Sequence, residues 1–451
     1  MTSGLLSNTC LEEKMSDWTF DDLVGWDDKI CEIARRHGLD WYEIAYETID
    51  YHEMIGAMAY HGMPSHFSHW SYGKTFERTH SMYNAGLEGL PYELIINSNP
   101  SIAYLMLENP LYLQILIMAH CVGHSDFFKN NRTFRETDAD HVTRKFRSAR
   151  QRIQGYIENP HIGIESVEKV IDSCHAIQYQ IDRRGRFRLG EKDLKKSLID
   201  KINNDKTGIY KNIDINKKPL EPEFDIMLFI LENSNKLEDW ERDIIEIVRN
   251  ESYYFMPQIR TKIMNEGWAS FWHYKILNEL ELPDSLHIPF LKTHNQVLRP
   301  WGGRINPYHL GFEIFNKIEK KMGIEECFMA REVMSDESFI MQYLDEEHAR
   351  ELNMFTYSPK GRKNPDWSID DVADEEGWLE IRSSLIKTIG SNSIPVIYVD
   401  DLKDGTLILQ HEHDGRDLEL DYADNCMKNI EHLWKGKVKL LTTIEDEPFE
   451  I

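Results

Sequence analysis

The segment Leu111–Gly123 is the most apolar run in the chain, and only Gln114 and His120 interrupt it. It falls short of the ~18–20 residues that a bilayer-spanning helix needs. It is therefore expected to run through the core of a folded domain. Asn109 is read as the N-cap and Pro110 as the first helical position. Beyond them Leu113, Leu116, Ile117, His120, His124 and Phe127 recur at helical spacing. The two histidines continue the buried stripe, and buried imidazoles need polar partners. The rest of the sequence has to supply them.

A chain of 451 residues exceeds one typical core, so two or three domains are expected. The apolar fraction of 41% provides for a large interior. Cys10, Cys31, Cys121, Cys174, Cys327 and Cys426 form no C-x-x-C pair, which suits reduced thiols in a cytoplasmic protein. Residues 1–18 lack the basic and apolar blocks of a secretory signal, and no membrane segment is expected. The net charge of −25 argues against duplex nucleic acid as a partner, because phosphate binding needs a cationic surface. One stretch departs from this balance. Arg183–Lys218 carries twelve Lys and Arg against five Asp and Glu, and it reads as a solvated insertion.

Leu23–Arg36 predicts a helix stopped by Gly38, and Trp41–Tyr60 continues in the same style. His61-Gly62-Met63-Pro64 breaks that pattern. Tyr92–Asn97 reads as a short strand closed by Asn99-Pro100. Phe224–Glu251 reads as helix, broken at Met256-Pro257. A new helix starts at Pro257 and carries Asn265-Glu266-Gly267-Trp268-Ala269 through to Leu280. The tail alternates: a helix at Trp378–Ile389, strands at Pro395–Val399, Thr406–Gln410 and near Leu418–Leu420, a helix at Ala423–Lys435, and a last strand at Val438–Thr442. The expected fold class is α+β, a mainly helical core with short strands and a small C-terminal α/β domain. Along the chain this gives an N-terminal helical region (17–182), a basic linker (183–222), a second helical region (223–345) and the α/β piece (377–451).

Several chemistries are excluded by motif. Gly73-Lys74-Thr75 lacks the upstream glycine of a phosphate loop, where Ser68 stands instead. Neither G-x-G-x-x-G nor G-x-S-x-G occurs, so no nucleotide cofactor and no serine nucleophile are expected. What remains is a metal constellation. His120 and His124, four apart on one helix face, reach a common ion. Glu266 supplies a carboxylate, and His273 follows on the same face as a fourth ligand or as support behind it. That donor set suits zinc or another divalent transition metal.

The pattern resembles the glutamate-type zinc metallopeptidases, in which an H-E-x-x-H helix pairs with a later N-E-G-x-A helix. Asn265-Glu266-Gly267-Trp268-Ala269 fits the second half. The first half departs, because Cys121 stands where those enzymes place the glutamate that activates water. A zincin-like hydrolase therefore needs a carboxylate from elsewhere, such as Glu93 or Glu47. The histidines equally suit a core role, hydrogen-bonded to backbone or carboxylate. In the His- and aromatic-rich stretch His61–Gly73, His66, His69 and Trp70 read either as a pocket wall, with His66 and His69 as extra ligands, or as a packed turn.

A wider set of segments is similar to the stage V sporulation protein R (SpoVR-like) family. They are His61-Gly62-Met63-Pro64 with His66-Phe67-Ser68-His69-Trp70-Ser71, Tyr92-Glu93-Leu94, Ala119-His120 through His124, Glu238-Asp239-Trp240, Lys262 through Ser270, and Asn306-Pro307-Tyr308. They occur in the family's order over about residues 20 to 345. The resemblance implies a role in spore cortex formation or in stress responses, alongside a PrkA-type serine protein kinase and a von Willebrand-type partner. The His and Glu constellation points to a metal-binding protein, a hydrolase of peptide or amide bonds; the alternative is a non-catalytic regulatory partner in the kinase-linked pathway.

Overall fold

The computed structural model describes residues 17–84, 93–183, 185, 190–204, 214–215, 217–301, 304–359 and 367–451. From the N-terminus the elements are α1 (Phe20–Arg36), β1 (Ile44–Ile49), α2 (Tyr51–Ala59), α3 (Trp70–Asn84), β2 (Leu94–Ile96), β3 (Ser101–Met106) and α4 (Leu111–Asn130). Helices α5 (Val142–Glu158), α6 (Gly163–Ala176), α7 (Glu191–Asn203), α8 (Ile226–Asn233), α9 (Asp239–Arg260) and α10 (Lys262–Glu279) follow. Then come α11 (Asp284–Val297), α12 (Pro307–Met322), α13 (Ile324–Val333), α14 (Asp336–Tyr343), α15 (Glu346–Glu351), β4 (Phe355–Pro359), β5 (Trp367–Val372) and α16 (Gly377–Thr388). The chain ends in β6 (Ile397–Lys403), β7 (Thr406–His411), α17 (Leu420–Trp434), β8 (Val438–Ile444) and β9 (Glu447–Glu450). The expected class, a mainly helical protein with short strands and a strand-containing C-terminal region, is what the structure shows.

Two compact units divide the chain, and each is built from two separate stretches. One takes the described residues of Met1–Gln151 and Pro257–Gly390. The other takes those of Arg152–Met256 and Ser391–Ile451. In the first unit α4 is the axis. Every residue from Leu113 to Phe128 is buried, as a helix apolar all round requires. Helices α10, α1, α11 and α13 pack on it, and α12 packs on α10. Beside it lies a three-stranded sheet in the order β1-β3-β2, with β1 parallel and β2 antiparallel to β3. Both edges of β3 are paired, which fits its nearly continuous burial.

Three glycines set the helix spacing. A Cβ on Gly123 would stand 2.7 Å from the Cα of Ala269, one on Gly267 would stand 2.4 Å from the backbone of Gly311, and one on Gly311 would stand 2.1 Å from the Ile263 carbonyl oxygen. Only bare backbone allows α4, α10 and α12 to approach so closely. Asp126 on α4 is fully buried and accepts from the Trp268 indole and the Asp40 backbone, with Arg331 at 3.4 Å. The second unit carries a four-stranded sheet in the order β6-β7-β8-β9. Its one parallel pair, β7 with β8, needs a crossover, and α17 supplies it.

Several element expectations are corrected. Trp41–Tyr60 is not continuous helix: Ile44–Ile49 is strand β1, and α2 begins at Tyr51 after its N-cap Asp50, which forms a capping box with Glu53. Alternating β-branched and aromatic residues fit a strand once β3 lies beside them to pair with. The N-cap of α4 is Pro110, one residue beyond Asn109. Phe224–Glu251 is split into α8 and α9, and Pro257 lies inside α9, so α10 begins after Thr261. No strand forms at Leu418–Leu420, because Glu419 caps α17 there. Part of the basic stretch 183–218 falls on residues 184, 186–189, 205–213 and 216, outside the described residues. Its described part contains α7, with Leu198 buried, and an Arg183 guanidinium that donates to the Ser391, Ile394 and Pro395 carbonyls.

Candidate metal centre

His120 and His124 leave α4 on the face that meets α10, and Glu266 answers them from the second turn of α10. Glu93, immediately before β2, brings a second carboxylate. One donor atom from each of Glu93, His120, His124 and Glu266 lies within 4.8 Å of every other. The Nε2 of His120 stands 3.6 Å from Glu93 Oε1 and 3.8 Å from Glu266 Oε2. The Nε2 of His124 stands 3.4 Å from that same Glu266 oxygen. Both imidazoles are buried, while the Glu93 and Glu266 side chains keep 14% and 17% of their exposure. The centre therefore has one partly open side, formed by its carboxylates.

The remaining ring nitrogens are held from behind. His124 Nδ1 lies 2.9 Å from Asn265 Oδ1 and donates to it, which turns Nε2 toward Glu266. His120 Nδ1 lies 2.8 Å from His273 Nδ1, and His273 Nε2 lies 2.7 Å from His294 Nδ1. Tyr308 stacks near His120, and its hydroxyl lies 3.5 Å from Glu93 Oε1. Two atoms inside the cluster, His120 Nε2 and Glu266 Oε2, are buried without a hydrogen-bond partner. Native interiors rarely leave such atoms unpaired, and a cation between them satisfies both. Two imidazoles and the Glu266 carboxylate, with the Glu93 carboxylate beside them, fit zinc or another first-row divalent ion.

The electrostatics agree with a ligand set. Burial alone would raise the Glu266 carboxyl, but the facing His120 and His124 hold it well below the usual carboxylate range. Burial opposes protonation of His124, but Glu266 and Asn265 outweigh it and raise its pKa above 6.5. Burial, reinforced by the neighbouring imidazoles, pushes His273 well below 6.5. Burial drives the Cys121 thiol well above its ordinary value, with Glu93 adding to the effect, so it stays protonated beside the site. Burial likewise keeps the Tyr308 phenol protonated, with Glu266 and Glu93 adding to the effect.

The structure thus brings together His120, His124, Glu266 and Glu93, and places His273 behind His120. His66 and His69 are buried elsewhere. His66 packs among Tyr60, Phe67, Tyr72 and Phe146, His69 bonds the Ser71 hydroxyl, and Trp70 is half exposed. None of the three joins the four-residue group, and Glu47 pairs within the sheet opposite Tyr104. Sequence reasoning missed Asn265, Tyr308 and His294 as site residues. The first two lie inside segments already singled out, Asn265-Glu266 and Asn306-Pro307-Tyr308, whereas nothing in the sequence around His294 marks it.

The chain is similar to "Uncharacterized protein YcgB" of Escherichia coli (strain K12), 35% identical over 485 aligned positions that cover 96% of this chain and 94% of that protein. No solved structure matches it. Residues 17–394 match the model of the SpoVR like protein family, and residues 392–445 match that of the SpoVR-like C-terminal domain. Glu93 and the donors from α4 and α10 all fall within the first of these matches, and the chain belongs to the SpoVR-like family.

Proposed function

We propose that this protein is a metal-dependent hydrolase of peptide or amide bonds, working in the sporulation setting that the family's name suggests or in a stress response. His120, His124 and Glu266 hold a divalent ion such as zinc. When bound, the ion supplies Lewis acidity for water and carbonyl groups. Glu93 takes the place of the glutamate that Cys121 displaces. Its carboxylate faces the same centre from another element, keeps partial exposure, and is steered by the Tyr308 hydroxyl. Glu93 takes up the proton that water gives up and returns it to the leaving nitrogen. Tyr308, held as a phenol, donates to that carboxylate.

The observation that carries this reading is the pair of buried, unpartnered atoms, His120 Nε2 and Glu266 Oε2, facing one another across the cluster. Elemental analysis of protein purified without an affinity tag tests it. About one equivalent of zinc or a similar ion is expected in the wild type and in Glu93→Gln, with hydrolysis of a peptide library seen in the wild type alone. Equal metal content in wild type, His120→Ala and Glu266→Ala would leave the histidines as ordinary core residues.

A further inference from the structure

His120, His273 and His294 form an unbroken row of imidazoles leading away from the metal centre. The Nδ1–Nδ1 and Nε2–Nδ1 separations are 2.8 and 2.7 Å, and all three rings are at least nine-tenths buried. A neutral imidazole has one N–H and one bare nitrogen. Each of these two contacts therefore needs one donor and one acceptor, and a row of neutral rings has only two self-consistent arrangements. In the inward arrangement, His294 Nδ1–H donates to His273 Nε2, His273 Nδ1–H donates to His120 Nδ1, and His120 Nε2–H points between Glu93 and Glu266. In the outward arrangement, His120 Nδ1–H donates to His273 Nδ1, His273 Nε2–H donates to His294 Nδ1, and His120 Nε2 is a bare lone pair.

Only the outward arrangement can bind a cation through His120 Nε2. Without a cation, two carboxylates facing the same atom favour an N–H there, which is the inward arrangement. We propose that His273 and His294 form a tautomer relay in which occupancy of the metal centre sets the protonated nitrogen of His294. The proposal rests on the metal reading above and extends it to two residues outside the ligand group. Switching from inward to outward releases one proton from His120 Nε2 on the cluster side and takes one up at His294 Nε2. Each ring keeps one proton, so the row has no net change in charge. His294 stacks on Tyr274 at 4.6 Å between centroids, and Tyr274 is partly exposed. The state of the centre is thereby registered at the interior face of an exposed ring on α10. His273 and His294 are positioning residues in this scheme, acting through His120.

Long-range proton–nitrogen spectra of full-length protein with labelled histidine test the relay, recorded with one equivalent of zinc and after chelation. His273→Gln and His294→Gln assign the signals. With zinc, the Nε2 atoms of both His273 and His294 are expected to carry the proton, and after chelation the Nδ1 atoms. In zinc titrations, His273→Phe leaves the His120 Nδ1–H without an acceptor and should weaken binding by about 10–100-fold. His273→Gln restores an acceptor oxygen and should recover most of that loss, which a merely space-filling role would not explain. Should His273→Phe fail to fold, His294→Phe gives the same readouts one ring further out. Unchanged tautomers at His273 and His294 with zinc bound to the wild type would overturn the relay alone. A wild type that binds no zinc would overturn the metal reading and the relay together.

Discussion

At the scale of single residues, the centre depends on a few atoms whose partners lie far away in sequence. His120, His124 and Glu266 leave no spare donor, so His120→Ala and Glu266→Ala are each expected to reduce bound metal to background, measured on folded protein. Cys121→Ala is expected to keep the metal, since burial holds that thiol in its protonated form, a poor ligand. Metal loss in Cys121→Ala would put sulfur among the ligands and require another site. Binding should also depend on pH. Metal needs His124 without its proton, and that proton is held above pH 6.5 by Glu266. Zinc affinity should therefore fall as pH drops from 7.5 through 6.5, and a titration flat across that window would contradict the assignment.

At the scale of elements, α4, α10 and α12 hold the donors in place by backbone approach. Gly267→Ala puts a methyl group 2.4 Å from the Gly311 backbone, which neither helix can yield without sliding. Overpacking of this kind costs about 1–3 kcal/mol, readable as a lower urea midpoint, and it should weaken zinc binding as well. Asp336 anchors the start of α10, where its two carboxylate oxygens accept from the Ile263 and Met264 backbone N–H groups. Burial raises its pKa from an ordinary 3.8 to about 7, against the pull of those two bonds. The folded state therefore binds the Asp336 proton more tightly than the unfolded chain does. Its contribution is fully present below about pH 4 and is lost as pH rises toward 7. In metal-free protein, the stability of wild type relative to Asp336→Asn is expected to decline between pH 4.5 and 7.5. A difference that grows over that range would show that Asp336 is ionised in the fold from the start.

At the scale of the whole molecule, each compact unit draws on two stretches of chain. Strands β6 to β9 and α17 come from the C-terminal stretch, while α6 and α8 come from the middle of the chain. Within that unit α17 packs on α6, and the Phe229 ring lies 6.1 Å from that of Trp434. A chain ending at Gly390 removes α17, on which α6 packs, and β6, on which α8 packs. Limited proteolysis is expected to cut such a chain within 152–256, while the metal content of the remainder persists. Resistance of that stretch in the shortened chain would show that it folds without the C-terminal sheet.

The sequence alone determined that α4 is a core helix, because sixteen consecutive buried positions need a run as apolar as Leu113–Phe128. It also singled out His120, His124 and Glu266, because charged or polar residues inside apolar stripes need one another. It did not reveal β1 and β3, because a short run without strict polar–apolar alternation cannot be told from helix by pattern alone. Nor could spacing decide what Glu93 and His273 do. His273 shares a face with Glu266, but seven residues of helix separate them by about 10 Å along the axis, and metal bonds span only ~2.0–2.2 Å. Glu93 lies far from α10 in the chain, yet β2 delivers its carboxylate to within 3.6 Å of His120. Helical periodicity fixes which residues share a face and how far apart they lie along it. Which residue arrives from another element to meet that face depends on long-range packing, and only the tertiary structure decided it.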